Sequence, residues 1–244
     1  MEIYILKVSF SFNGREDSLY PVILRDQRDT ILVDCGYEGF MPLIEKAAQV
    51  HGLSLRDHTG ILITHHDIDH MGALAEIKAA YPSVKVYTSK LDEPYVSGKE
   101  KSLRLVQAEA MYDSLPEEHK PGAKYFQEML KNMKPVAVHY AFSEDEEPPF
   151  LNGIQVIPTP GHMPGHISIY LQESRTLIAA DAVVVEEGEL EIANPHFTLD
   201  LHEAVNSVKK LRELEIDRII CYHGGMVTSD IELKLAKLIT KYTK

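Results

Sequence analysis

The sequence predicts an α/β (α+β) fold in which two β-sheets pack face to face with helices on their outer sides. Short apolar strand-like runs come in two series, one in the first third of the chain and one from Pro135 onward, and helical stretches follow the strands of each series. The length of 244 residues matches one layered domain, 1–244, with a single sizeable core and a helical insertion at about 90–134.

The first series comprises Ile3–Phe12, Tyr20–Arg25 and Thr30–Asp34, with turn chemistry at Asn13-Gly14 and Arg28-Asp29. A helical pattern runs from about Glu38 to Val50. Ile61–Thr64 is a short buried strand; Met71, Leu74, Ala75 and Ile77 then recur at helical spacing until Tyr81-Pro82 stops the run. Val84–Thr88 is the next strand. The insertion is polar and helical, Lys101–Ser114 and Ala123–Met133, broken by Pro116 and Pro121-Gly122. The second series contains Val136–Phe142, Ile154–Ile157, His166–Leu171, Thr176–Ala180 and Arg218–Tyr222, with helices at about Leu201–Leu214 and Asp230–Tyr242. Ser143–Pro149 is an acidic, solvated loop.

Composition narrows the function. The net charge is −12, from 37 acidic and 25 basic residues, so a polyanion meets repulsion and nucleic acid is not the expected partner. No run approaches the roughly 18 apolar residues of a membrane span, and the N-terminus, MEIYILKVSF, reads as a strand and not as a signal peptide. Cys35 and Cys221 each end an apolar run, as reduced core thiols do, and a cytoplasmic location is the expectation.

The chemistry concentrates in Thr64-His65-His66-Asp67-Ile68-Asp69-His70, a loop between a strand and a helix. Carboxylates next to an apolar strand need pairing, hydrogen bonds or a metal. Residues two apart in an extended segment project to the same side, so His65 and Asp67 are positioned for one metal, and Asp69 and His70, at the turn into the helix, for a second. Further ligands stand at the ends of strands: His162 in Thr159-Pro160-Gly161-His162-Met163-Pro164-Gly165-His166, Asp181 after Leu177-Ile178-Ala179-Ala180, and His223 in Cys221-Tyr222-His223-Gly224-Gly225.

These motifs, in this order and together with Ile31-Leu32-Val33-Asp34-Cys35-Gly36, resemble the metallo-β-lactamase fold superfamily over about residues 20 to 225. The TPGH-x-PGH loop is most similar to the glyoxalase II and acyl-homoserine-lactone lactonase branches. The resemblance implies an αββα four-layer sandwich with a dinuclear site at one edge of its two sheets. Carried over by position, it implies that His65, Asp67 and His162 hold the first metal, that Asp69, His70 and His223 hold the second, and that Asp181 bridges both. The chain departs from the usual His-x-His-x-Asp-His loop: Asp67 replaces the second histidine and an extra His66 fills a spacer, His66 being the alternative ligand to His65. The two divalent ions are expected to be Zn²⁺, with Mn²⁺ or Fe favoured by the harder oxygen donor of Asp67.

The expected function is that of a metal-dependent hydrolase in which a hydroxide bridging two ions cleaves an ester, lactone or thioester of a small molecule, with Asp69 orienting or shuttling the proton. Flavodiiron-like redox chemistry, whose proteins carry a carboxylate at the Asp67 position, and phosphodiesterase chemistry are the alternatives; no flavodoxin-like stretch stands within these residues. Asp34 is expected to hydrogen-bond the ligand loop from a neighbouring strand, and His166 to be structural. His196, in Asn194-Pro195-His196-Phe197-Thr198, is a candidate proton donor or substrate contact. Tyr95 and the insertion's other aromatic residues, Tyr112, Tyr125 and Phe126, are candidates either for the substrate pocket or for a homodimer contact.

Overall fold

The computed structural model describes residues 1–12, 14–143, 146 and 148–243. Asn13 of the expected turn, and Glu144, Asp145 and Glu147 of the acidic loop, lie outside the described residues. From the N-terminus the elements are β1 (Glu2–Ile5), β2 (Val8–Phe12), β3 (Arg15–Leu19), β4 (Val22–Arg25), β5 (Thr30–Val33), α1 (Met41–Gln49), β6 (Gly60–Leu62), α2 (Ile68–Met71), α3 (Leu74–Ala80), β7 (Lys85–Ser89), α4 (Glu93–Val96), α5 (Leu103–Met111), α6 (Lys120–Lys131) and β8 (Tyr140–Phe142). There follow β9 (Ile154–Pro158), β10 (Ile167–Leu171), β11 (Thr176–Ala180), β12 (Val184–Glu186), β13 (Glu189–Glu191), α7 (Leu201–Arg212), β14 (Arg218–Cys221), β15 (Gly225–Val227) and α8 (Ile231–Tyr242).

A six-stranded mixed sheet has the order β1-β4-β5-β6-β7-β8, and a five-stranded mixed sheet the order β15-β14-β11-β10-β9. Alternation along each central strand sorts its side chains between layers. On β5, Ile31 and Val33 face the other sheet, where Ile169, Ile178 and Ile220 meet them, and Leu32 faces outward to Ile44 of α1 and to Leu74 and Ile77 of α3. On β11, Ile178 points inward, and Leu177 and Ala179 pack against Val208 and Leu211 of α7 and Leu235 of α8. Both faces of both sheets are therefore covered, the condition for short parallel strands that are apolar throughout. Each fully buried Leu or Ile of these layers contributes roughly 1.5–3 kcal/mol.

Three expected elements differ. Ile3–Phe12 is not one strand: it breaks at Leu6-Lys7, where Leu6 N–H bonds Pro21 C=O, so that β1 joins the large sheet and β2 pairs with β3 as a separate hairpin. Val136–Phe142 forms a strand only over its last residues. Pro121 starts α6 and does not break it, since a proline at the first turn sacrifices no helical hydrogen bond. The insertion packs onto the ligand loop through Ile68, Leu105 and Leu130.

Candidate metal centre

Beyond β6 the chain bends at Thr64 and His65 and is extended at Asp67 (φ −72°, ψ 152°) before α2 begins. His65 and Asp67 share a side, with Nε2 and Oδ2 3.5 Å apart. His66 takes the other side: its Nδ1 donates to Asp92 Oδ1 at 3.0 Å and its Nε2 accepts Leu103 N–H at 3.3 Å. The turn of α2 then carries Asp69 and His70 into the same region.

The second sheet brings the other donors. Gly161 (φ +131°) shapes the loop that presents His162; a Cβ there would lie 2.2 Å from Ala204 N, so no other residue fits. Asp181 follows Ala180, whose φ of 47° accompanies a register shift between β11 and β14. His223 follows β14. Ile167 N–H donates to Thr64 C=O at 3.2 Å and locks the loops of the two sheets together.

His65, Asp67 and His162 form one group, His65, His70 and Asp181 a second, and Asp69, His70 and His223 a third; within each, one donor atom per residue lies within 4.8 Å of the others. Asp181 stands between the ends: its Oδ2 is 3.6 Å from His162 Nε2, and its Oδ1 is 3.3 Å from His70 Nε2 and 3.6 Å from His223 Nε2. His162 Nε2 lies 2.9 Å from Asp67 Oδ2, and His223 Nε2 lies 3.1 Å from Asp69 Oδ2.

The surroundings orient these donors. Asp34 accepts from Thr64 N–H at 2.9 Å, from the Thr64 hydroxyl at 2.8 Å and from His70 Nδ1–H at 2.9 Å. With its proton given to Asp34, Thr64 Oγ1 accepts from His65 Nδ1 at 3.2 Å. With Nδ1 engaged in this way, both imidazoles turn Nε2 toward the cluster. Burial holds His65 well below the usual histidine range and the neighbouring His70 adds to it, whereas at His70 burial is outweighed by Asp181, Asp34 and Asp69, which push it well above. Burial alone would raise Asp67 and Asp181; Arg104 and the histidines hold Asp67 well below the ordinary carboxylate range, and His223 and His70 do the same for Asp181. Burial would lower His223, and Asp181 and Asp69 raise it.

The donor set fits divalent metal ions. His65 Nε2, His70 Nε2 and Asp181 Oδ1 are buried without a hydrogen-bond partner among the described residues, a condition that costs free energy unless something binds them. Imidazole and carboxylate donors suit zinc, manganese and iron.

The other sequence candidates are placed as follows. His166 is buried and accepts Asp181 N–H at Nε2, 3.0 Å away, with Nδ1 2.8 Å from Thr159 Oγ1; burial, with His162, lowers it to about 3. Tyr95 stacks on His66 with centroids 4.4 Å apart and not on a donor residue. His196 is exposed, and its backbone C=O, not its ring, accepts from Gln107 at 3.2 Å. Sequence reasoning missed three residues. Arg104 pairs with both oxygens of Asp67; the signal was Asp67 itself, an extra buried charge that requires a partner. Tyr222 donates its O–H to Asp69 C=O at 2.6 Å and accepts Gly36 N–H at 3.0 Å, and Asp92 anchors His66; neither had a local sequence signal.

The chain is a four-layer αββα sandwich whose histidines and aspartates cluster where the loops of its two sheets meet, the arrangement of a metal-binding protein. Residues 19–223 match the Metallo-beta-lactamase superfamily, and the chain belongs to that family of metal-dependent hydrolases. It is 32% identical over 215 residues to the probable metallo-hydrolase YflN of Bacillus subtilis, covering 81% of this chain and 76% of that one. Identity to the hydroxyacylglutathione hydrolase of Bartonella henselae is 27% over 223 residues, covering 89% of this chain and 66% of that one. The structure of TTHA1429, a metallo-beta-lactamase family protein of Thermus thermophilus, superposes with a TM-score of 0.75 at 20% identity, covering 98% of this chain and 79% of that one.

Proposed function

We propose that the protein hydrolyses an ester, lactone or thioester of a small acyl compound at a dinuclear centre. His65, Asp67 and His162 hold one ion, Asp69, His70 and His223 hold the other, and Asp181 contributes an oxygen to each. The observation that carries this reading is the convergence of three unpartnered buried atoms, His65 Nε2, His70 Nε2 and Asp181 Oδ1. When bound, two divalent ions supply a nucleophile derived from water at neutral pH and a Lewis acid for a carbonyl oxygen. Zinc is the first expectation, with manganese or iron the alternatives that Asp67 favours. Similarity to a hydroxyacylglutathione hydrolase supports an acyl substrate.

The protein's own groups have distinct parts. Asp34 and Thr64 fix the tautomers of His70 and His65. Asp69 is the most exposed of the three donor carboxylates, its side chain 16% accessible against 8% for Asp67 and 7% for Asp181, which places it to orient the attacking water and to shuttle its proton toward the leaving group. The two thiols do not serve as nucleophiles: both are buried, and burial pushes Cys35 and Cys221 up, away from the thiolate. Three donor carboxylates against two divalent ions leave one positive charge. A neutral or singly anionic acyl substrate matches that field better than a multiply charged phosphate.

The test is a hydrolysis panel of lactones, thioesters, aryl esters and bis-p-nitrophenyl phosphate on protein stripped with a chelator and reloaded with zinc, manganese or iron. Carbonyl substrates are expected to be turned over, with activity lost on stripping and restored on reloading. Far faster turnover of the phosphodiester, or equal activity of the stripped protein, overturns the reading.

A further inference from the structure

Helix α5 of the insertion delivers one cation to the donor cluster. Arg104 is 2% exposed, and its Nε and Nη2 donate to Asp67 Oδ1 at 3.0 Å and Oδ2 at 2.6 Å. The same Nη2 lies 3.1 Å from His162 Nε2. The guanidinium thus engages both oxygens of Asp67 and lies against the ring nitrogen of His162, two members of the His65, Asp67, His162 group. Its remaining nitrogen, Nη1, donates to Phe197 C=O and Gln107 Oε1, and its carbon sits 5.3 Å over the Phe197 ring. The start of the helix is tied to the ligand loop by Leu103 N–H on His66 Nε2, so consecutive loop residues, His66 and Asp67, grip consecutive helix residues. The other end of the cluster is different: among the described residues no lysine or arginine pairs with Asp69, His70 or His223.

A fork of two N–H donors takes one lone pair from each oxygen of Asp67, and His162 Nε2, 2.9 Å from Oδ2, already faces the same oxygen, so a divalent ion there must contend with Arg104. We infer that Arg104 and a divalent ion compete for Asp67 and His162, which makes the two metal positions unequal. The Asp69, His70, His223 position loads first. The His65, Asp67, His162 position loads only at higher free metal, as Arg104 withdraws and α5 loosens from the ligand loop. The aspartate that replaces histidine in this loop therefore serves as the latch between the insertion and the metal centre. This inference rests on the proposed dinuclear reading. By linkage, whatever holds α5 down weakens that position, and filling the position frees α5.

The wild-type protein decides the matter by titration with Zn²⁺ against a chromogenic chelator, together with hydrogen–deuterium exchange of residues 103–111 at one and two equivalents. The expected result is one tight and one weaker equivalent, with faster exchange in 103–111 on binding of the second. Arg104→Met keeps the length and apolar stem of the side chain and removes its donors; it is expected to tighten the weaker equivalent about tenfold or more, within the usual range for coupled sites. Equal wild-type affinities, exchange in 103–111 that is unchanged or slowed by the second equivalent, or a second equivalent no tighter in R104M each overturn the proposal. Should R104M fail to fold, the wild-type data alone decide. Failure to bind any zinc sinks the dinuclear reading itself and is distinguished by its zero stoichiometry.

Discussion

His70 and Asp34 form a buried pair, Nδ1 2.9 Å from Oδ2, in which the aspartate can only accept and the imidazole must therefore donate. That one hydrogen bond determines which nitrogen of His70 faces Asp181. Asp34→Asn places an amide against Nδ1 and favours the opposite tautomer. The expected outcome is a 10- to 100-fold loss of metal affinity, on the scale of other ligand-orienting residues. Chelator competition measures it; an unchanged affinity in a folded variant contradicts the role given to Asp34.

Tyr222 does for Asp69 what Asp34 does for His70, but through the backbone. Its buried hydroxyl bridges Asp69 C=O and Gly36 N–H, at 2.6 and 3.0 Å. Tyr222→Phe leaves both groups without that partner and is expected to cost about 2 kcal/mol of stability. It should also lower kcat more than it raises KM, because Asp69 loses its fixed position. Urea unfolding and steady-state kinetics check the two effects separately.

Two glycines make opposite predictions. Gly161→Ala drives a Cβ into the backbone of Ala204 at a φ that side chains rarely adopt, and is expected to destabilise by about 3 kcal/mol and to displace His162. Gly122, in the first turn of α6, has nothing within 4 Å of a built Cβ, and Gly122→Ala should stabilise by about 0.5–1 kcal/mol. Thermal melts of the two variants suffice.

His58 provides a pH dependence remote from the metal centre. Its Nδ1 donates to Ser54 C=O at 3.0 Å, its Nε2 is buried without a partner among the described residues, and burial lowers its pKa. The folded value lies below the unfolded value of about 6.5, so the unfolded chain binds the proton more readily and stability falls as pH drops through about 6.5. Between pH 7 and pH 5 this residue is expected to make the protein progressively less stable. Urea midpoints measured across that range should fall more steeply with decreasing pH for wild type than for His58→Phe. Parallel curves contradict it.

Much of the framework was legible in short apolar runs and in helical spacing. Short apolar runs marked β5, β6, β10 and β11, and the two-residue spacing of His65 and Asp67 put both on one side of the loop. The β2–β3 hairpin was not legible: Arg15–Leu19 reads REDSL, and its strand character comes from pairing with Val8–Phe12, not from its own residues. Arg104 was hidden for a related reason. It lies 37 residues from Asp67 and is amphipathic-helix sequence like its neighbours, so only tertiary packing brings it to the carboxylate. His66 looked like a spare ligand until Asp92 and Leu103 accounted for both ring nitrogens.

The central claim is that donors from the ends of two sheets hold two divalent ions. Anomalous diffraction at the zinc edge, from crystals grown with excess zinc, tests it most directly. Two peaks per chain are predicted, one among His65, Asp67 and His162 and one among Asp69, His70 and His223, each next to an oxygen of Asp181. No peak at these side chains, or zinc bound only elsewhere, contradicts the account.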